Sequence, residues 1–282
     1  MTLETISTHA CFGGAVSFHK HQSAATNTAM KFAVFTPDQA KRGKVPVLTY
    51  LAGLTCNEET FMTKAGAQAV AAELGIMLIA PDTSPRGEGV ATDPAGGWDF
   101  GLGAGFYINA TQAPYAAHYR MQAYVTEELP ALVAANFAAD MNRQGIFGHS
   151  MGGHGALTLA LKNPHTYRTV SAFAPIVAPS QVPWGEKAFG GYLGPDRATW
   201  AAHDATALVA RTPAFKGREM LVDQGLADKF LERELRPELF EAACTAAGVK
   251  LTLRRHDGYD HGYYFVSTFM ADHLRWHAER LV

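Results

Sequence analysis

Gly148-His149-Ser150-Met151-Gly152 has the form G-x-S-x-G and is the most informative stretch of the sequence. The apolar pair Ile146-Phe147 precedes it, and residues 156–161 follow it with a helical pattern. Strand, sharp turn and helix in this order make a nucleophile elbow, in which the turn strains the serine backbone and needs small residues on both sides. Glycine-rich turns without a catalytic role also match the motif, but this context favours Ser150 as a nucleophile.

Apolar and alternating runs on both sides of the elbow are separated by helical patterns. Strands are predicted at residues 16–18, 30–35, 45–51, 77–81, 169–174, 220–222 and 249–255, and helices at 61–74, 119–137, from 237 and at 263–280. This alternation predicts an α/β fold with a mostly parallel central sheet, helices on both faces and an antiparallel pair at the sheet edge. Ligands then bind beyond the carboxyl ends of the strands.

The composition sets broad limits on the function. The chain has 282 residues, of which 48% are apolar and 18% charged, so residues 1–282 are expected to form a single domain. A formal net charge of −2 gives no electrostatic case for binding nucleic acid or an acidic membrane. No apolar run is long enough to span a bilayer, and residues 1–5 do not resemble a signal peptide. With 3 cysteines, the sequence predicts reduced thiols and a cytoplasmic location.

A serine nucleophile needs a histidine to accept its proton, and position must choose among 12 histidines. His261 follows the last predicted strand directly and precedes the last helix, which is the place this fold class requires. His273 and His277 are four residues apart on that helix and could hold a metal, but an ordinary helix face is favoured. The histidines expected at the surface are His9, His19 and His21.

Besides the serine and the histidine, the site needs a carboxylate that orients the histidine. Two aspartates follow the predicted strand 220–222. Asp223 lies at the strand tip, where a carboxylate often organises its loop through backbone amides. Asp228 lies further out, where it can reach across to a histidine. The residues favour Asp228 and leave Asp223 as the alternative.

The oxyanion of a tetrahedral intermediate needs two backbone N–H donors. One is expected from Met151, the residue after the nucleophile. The other is expected from Leu54, in the loop after strand 45–51.

Seven short stretches of sequence, spread over most of the chain, resemble the sequences of one known family. They are residues 51–56, 80–87, 97–101, 105–110, 148–155, 223–228 and 260–265. In their sequence and order they resemble the S-formylglutathione hydrolases, the esterase D family of α/β-hydrolases. The resemblance implies an α/β-hydrolase fold and a triad of Ser150, Asp228 and His261. Ala52 stands where the family commonly has serine, a small-for-small change that leaves the oxyanion loop intact.

The same resemblance implies an activity. A member would cleave S-formylglutathione to formate and glutathione through an acyl-enzyme, in formaldehyde catabolism, with carboxylesterase side activity and no metal or organic cofactor. The alternative is a broad short-chain carboxylesterase or acyltransferase on the same scaffold. A binding protein that has lost catalysis is disfavoured by the intact motif set. The oligomeric state stays open, with a homodimer as one alternative.

Four further residues are predicted at the substrate site. The resemblance implies that Cys56 lies close to the nucleophile and that its modification blocks activity. Trp98 and Phe106, with their neighbours Phe100 and Tyr107, and Trp184 from a second irregular segment are expected to narrow the acyl side of the pocket. The alternative is that these aromatic residues only pack the two segments against the sheet.

Overall fold

The computed structural model describes residues 2–281. Their strands form one nine-stranded sheet. Its strands are β1 (Glu4–Cys11), β2 (Gly14–Gln22), β3 (Ala29–Thr36), β4 (Val45–Leu51), β5 (Met77–Pro81), β6 (Ala139–His149), β7 (Tyr167–Phe173), β8 (Glu219–Gly225) and β9 (Lys250–His256). Their spatial order is β1-β2-β3-β5-β4-β6-β7-β8-β9. The pairs β1–β2, β2–β3 and β3–β5 are antiparallel, and the remaining neighbours are parallel. The predicted mostly parallel sheet is confirmed.

Helices connect the strands and cover the sheet. They are α1 (Glu58–Lys64), α2 (Gln68–Leu74), α3 (Met121–Ala123), α4 (Leu129–Asn136), α5 (Met151–Lys162), α6 (Pro183–Leu193), α7 (Arg197–Trp200), α8 (Ala205–Val209), α9 (Pro237–Ala247) and α10 (Tyr263–Arg280). A π-helical turn, Tyr124–Glu128, joins α3 to α4, and a second one, Leu231–Leu235, precedes α9. Helix α10 packs against α2 and β7, whereas α5 packs against α8 and α8 against α9. Among the helices of residues 2–281, none has the length and apolar character needed to cross a membrane.

Two elements differ from the sequence prediction. Strand β1 was not predicted, and it forms the sheet edge outside the predicted pair β2–β3. The helix predicted at 61–74 is two helices, α1 and α2, because the chain turns at Gly66 with a φ of 66°. That left-handed conformation suits glycine and cannot continue a right-handed helix.

Two long segments follow strands β5 and β7 and meet above the sheet, the first mostly irregular and the second containing helices α6 to α8. Tyr192 of α6 joins them, since its hydroxyl donates to the Ala104 carbonyl at 2.9 Å and accepts from the Gly101 amide at 3.0 Å. Lys187, five residues earlier on α6, lies 2.7 Å from Asp93 and also pairs with Asp99. The two segments therefore form one ordered layer over the carboxyl ends of the strands.

Candidate active site

Ser150 occupies the sharp turn between β6 and α5. Its φ of 58° and ψ of −119° are strained for a residue with a side chain. The Ser150 amide donates to the Phe173 carbonyl at 2.9 Å, and the Ser150 carbonyl accepts from the His154 amide at 3.0 Å. These bonds hold the turn from both sides, so the strained backbone presents the side chain at the carboxyl end of the sheet.

The glycines around Ser150 are required by space. A Cβ on Gly152 would collide with the carbonyl of Leu51, and one on Gly148 would collide with the carbonyl of Gly152. Gly53 lies on the other side of the nucleophile, where a Cβ would come within 3.2 Å of the Ser150 Cβ. The turn can therefore approach β4 only with glycine at positions 148 and 152, and Gly53 lets the loop after β4 lie close to Ser150.

His261 and Asp228 are paired in the structure. Nδ1 of His261 lies 2.5 Å from Oδ2 of Asp228, whose side chain is buried. The carboxylate also accepts from the Phe230 amide at 2.8 Å and from Nε2 of Gln224 at 3.4 Å. Because a carboxylate can only accept, Nδ1 of His261 carries the hydrogen and Nε2 is free to accept a proton.

Asp223, the alternative acid, has other partners. Its carboxylate oxygens accept from Nε and Nη2 of Arg254, both at 2.6 Å, and lie 3.3 Å from Nε2 of His273. Burial acts to raise the pKa of Asp223, but hydrogen bonding to His273 and Arg254 outweighs burial and lowers the pKa to about 2. Asp223 is thus a buried structural anion linking β8, β9 and α10, through side chains rather than through the backbone amides expected from its position.

One small cavity, of about 140 Å³, brings six of the nine predicted site residues together, and Asp228, Met151 and Phe106 are not among its walls. Its walls are Gly53, Leu54, Cys56, Trp98, His149, Ser150, Trp184, Phe230 and His261. Trp98 and Trp184 meet edge to face with ring centroids 5.7 Å apart, and Trp184 lies 4.6 Å from the ring of Phe230. The sequence prediction did not assign His149 or Phe230 to the pocket, although both neighbour predicted catalytic positions along the chain.

The prediction for Phe106 is corrected by the structure. Its side chain is fully buried beneath the elbow, where its ring contacts His154 and Phe189, and it does not line the cavity. Phe100 packs instead between Tyr115 and Tyr192. The Tyr107 hydroxyl donates to the Ala52 carbonyl at 2.8 Å, which supports the loop of Leu54 from below. These three aromatic residues pack the irregular segment, which was the alternative to narrowing the acyl side of the pocket.

The amides of Leu54 and Met151 are both free to act as donors. Within residues 2–281, neither donates to a protein acceptor. Met151 begins α5, where the first N–H groups of a helix have no internal partner. The Leu54 loop is fixed by its neighbour Thr55, whose amide donates to the Gly103 carbonyl at 2.9 Å.

His149 lies against His261, with ring centroids 4.5 Å apart. Its ring is buried, and neither ring nitrogen has a hydrogen-bond partner within residues 2–281. Burial, reinforced by the neighbouring His261, holds the pKa of His149 well below its usual range. His149 is therefore a neutral ring at neutral pH and does not compete with His261 for the proton.

Cys56 is half-buried in the wall of the cavity and is not part of a disulfide. Burial raises the pKa of its thiol. At neutral pH the sulfur is protonated and weakly nucleophilic. The geometry agrees with the predicted position of Cys56 near the nucleophile.

The remaining histidines are mostly structural. His273 and His277 are buried, and their rings contact the hydroxyls of Ser171 and Thr169 at 2.6–2.8 Å. Among residues 2–281, no three His, Cys, Asp or Glu side chains are grouped in a way that could hold a metal ion. The surface prediction was wrong for His19 and His21, which are buried beside Phe32 because they occupy inward positions of β2. His9 is exposed as predicted.

The fold and the comparisons with known proteins place the chain among the esterases of the α/β class. The family model described as "Putative esterase" matches residues 23–276. The chain is 56% identical over 283 residues to an S-formylglutathione hydrolase of Paracoccus denitrificans, covering all of both chains. It is 53% identical over 284 residues to the S-formylglutathione hydrolase of Mus musculus, covering 100% of this chain and 99% of the other. A solved S-formylglutathione hydrolase from Agrobacterium tumefaciens superimposes with a TM-score of 0.96 at 53% identity, covering 99% of each chain. The chain belongs to the S-formylglutathione hydrolase family of esterases.

Proposed function

We propose that this protein hydrolyses the thioester S-formylglutathione to formate and glutathione, as a step in formaldehyde detoxification. The observation that carries the proposal is identity of 56% over full length to a relative of that name. The small cavity that contains Ser150 and His261 supports it, since a formyl group needs little room beyond its carbonyl. Because one nine-stranded sheet runs through the described residues, we take residues 1–282 as a single domain. Free cysteines favour the cytoplasm.

The proposed mechanism has two steps. The Oγ of Ser150 attacks the thioester carbonyl, and Nε2 of His261 accepts the serine proton. Asp228 holds the imidazole in the required tautomer and stabilises the imidazolium that forms. The amides of Leu54 and Met151 stabilise the oxyanion. Collapse of the tetrahedral intermediate breaks the carbon–sulfur bond, and the proton on His261 passes to the departing thiolate, so that glutathione leaves and the imidazole is neutral again.

In the second step, His261 removes a proton from water as the water attacks the formyl-serine ester. As the second tetrahedral intermediate breaks its bond to Oγ of Ser150, His261 gives the proton back to that oxygen, and the product leaves as formic acid, which ionises to formate. A thiol leaving group has a pKa of about 8.5 and departs without much proton donation. The acid role of His261 is therefore less demanding for this thioester than for an alkyl ester.

The test is an assay of formate release from S-formylglutathione by the purified protein, with Ser150→Ala as the inactive control. Activated aryl esters of short acids are assayed in parallel. We expect kcat/KM for the formyl thioester to exceed that for the aryl esters. Rapid hydrolysis of aryl esters without formate release from S-formylglutathione would instead support a general carboxylesterase.

A further inference from the structure

A second cavity, of about 370 Å³, adjoins the small cavity on the side of His261. It is lined by Ala227, Lys229, Phe230, Asp260, His261 and Gly262. Phe230 and His261 line both cavities, so they form the boundary between them. The small cavity, at about 140 Å³, falls below the range of about 300–1,000 Å³ that is typical of ligand sites, and the second cavity falls within it.

We propose that this second cavity binds the charged tail of the leaving thiol, with Lys229 as the group that pairs with a tail carboxylate. The inference rests on the proposed function, because it assigns a place to the part of the substrate that does not react. A glutathione tail carries two carboxylates and one ammonium group at neutral pH. Asp260 provides an anion at the same cavity for the ammonium group.

The position of the leaving group follows from the chemistry of the histidine. The imidazole that accepts the serine proton is also the acid that faces the leaving atom when the carbon–sulfur bond breaks. The sulfur must therefore lie beside His261. A tail attached to that sulfur is too large for the small cavity and leaves it past His261 and Phe230, which is where the second cavity begins.

The charged groups at this cavity are free to pair with a ligand. Within residues 2–281, neither Lys229 nor Asp260 has an ion-pair partner. The Lys229 ammonium lies 4.9 Å from the ring centroid of Phe230, so it stays at the edge of the cavity. Oδ1 of Asp260 accepts from the Gly262 amide at 2.8 Å, which fixes that carboxylate.

The two walls of the cavity are held together by the backbone. The Ala227 amide donates to the Tyr259 carbonyl at 2.9 Å, and the Leu226 amide donates to the His256 carbonyl at 2.9 Å. The loop that carries Asp228 and Lys229 is thereby attached to the loop that carries Asp260 and His261. A site formed between them is preorganised, which reduces the entropy lost when a flexible tail binds.

The experiment compares two formyl thioesters that share the acyl group and the sulfur. One is S-formylglutathione, and the other is the formyl thioester of N-acetylcysteamine, which lacks the charged tail. The readout is the kcat/KM for S-formylglutathione divided by the kcat/KM for the N-acetylcysteamine thioester. We expect Lys229→Met to lower this ratio about two- to five-fold, the range for one exposed ion pair, and Lys229→Glu to lower it about ten-fold. Lys229→Arg should retain the ratio of the wild type within about two-fold.

Two lysines serve as controls. Lys64→Met removes a charge that does not line the second cavity, with its ammonium 6.0 Å from the centroid of the Tyr263 ring. Lys216→Met removes an exposed charge that precedes the amino end of β8, whereas the site lies at the carboxyl ends of the strands. Both should leave the ratio unchanged. A ratio that falls with Lys64→Met and not with Lys229→Met, or one that no Lys229 variant changes, overturns the proposal. Equal losses on both thioesters with Lys229→Met also overturn it.

A binding measurement separates this proposal from the proposed reaction. S-methylglutathione, which cannot be hydrolysed, is tested as a competitive inhibitor of aryl-ester hydrolysis. We expect its inhibition constant to rise about two- to five-fold with Lys229→Met and the wild-type inhibition to weaken in high salt, because salt screens an exposed pair. These two results would support the tail site even if the protein released no formate from S-formylglutathione. No inhibition by S-methylglutathione, together with rapid formate release from S-formylglutathione, would refute the tail site alone.

Discussion

Asp223 and Arg254 form a two-pronged ion pair between neighbouring strands, with both nitrogen–oxygen distances at 2.6 Å. Asp228, five residues further along the chain, has His261 as its partner instead. Asp223, within β8, and Asp228, in the loop after it, therefore have different roles. Asp223 links strands and a helix, and Asp228 holds His261, which lines the cavity.

The first prediction separates the two tasks. Asp228→Asn should lower kcat by about 10⁴-fold in a well-folded protein, because an amide in place of the carboxylate favours the wrong tautomer of His261. Asp223→Asn should instead lower the free energy of unfolding by about 1–3 kcal/mol, because Arg254 loses a charged partner. Steady-state kinetics and urea unfolding of both variants make the comparison. A larger loss of kcat in a folded Asp223→Asn would make Asp223 the catalytic acid.

The second prediction concerns pH. The folded-state pKa of Asp223, about 2, is lower than the ordinary value of about 3.9 expected in the unfolded chain. The carboxylate therefore stabilises the fold fully above about pH 4, and this contribution is lost progressively as pH falls from about 4 to about 2. The difference in Tm between the wild type and Asp223→Asn should shrink over that interval. A difference that stays constant down to pH 2.5 would contradict this assignment.

The third prediction concerns cooperation between Ser150 and His261. Each single alanine variant should lower kcat by about 10⁴- to 10⁶-fold, and the double variant should lose little more, because the two groups act as a unit. Thermal unfolding shows whether each variant is folded. Losses that multiply in the double variant would show that the two residues contribute independently.

The fourth prediction concerns Cys56. Bulky thiol reagents should inhibit by filling the cavity, whereas Cys56→Ser should keep substantial activity and lose that sensitivity. Because burial raises the pKa of the thiol, the rate of inactivation should still be rising at a pH where an ordinary cysteine has reached its plateau. Cys11→Ser, which changes another half-buried free cysteine, is the control. An inactive but folded Cys56→Ser would assign the thiol a direct catalytic role.

The positions of Ser150 and His261 could be predicted from the sequence because the backbone dictates them. The position of Ser150 is fixed by the strand before it, the helix after it and the turn between them, which glycines confine. The loop after the last strand brings His261 to the same edge of the sheet. These constraints are local and do not depend on which way a side chain points in an irregular segment.

Side-chain direction explains the failures. Phe106 has a φ of 48° in a segment without periodic structure, so nothing in its sequence neighbourhood shows that its ring points beneath the elbow. Strand β1 is mostly exposed and has no apolar alternation to reveal it. In β2, His19 and His21 alternate with Lys20, and hydrophobicity alone does not separate buried polar residues from exposed ones.

The last prediction concerns the size of the acyl group. Trp98 and Trp184 narrow the cavity, and Lys187 holds their two segments together through Asp93 and Asp99. On glutathione thioesters, kcat/KM should therefore fall steeply from formyl to acetyl to butyryl. One methylene that fits an apolar pocket contributes only about 1–3 kcal/mol to transition-state binding. An acyl chain that does not fit loses binding through steric strain.

Trp184→Ala should make this profile flatter by opening the wall, and Lys187→Met should do so by releasing the segment that carries Trp98. The matched control is Glu186→Gln, which changes the neighbour of Lys187 on α6, breaks the exposed ion pair of Glu186 with Arg197 of α7 and leaves Lys187 in place. Kinetics across the three acyl groups, with one thiol throughout, measure the effect. A wild-type profile that is flat or rises with acyl length would mean that the two tryptophans do not limit the acyl group, and the carboxylesterase alternative would then be favoured.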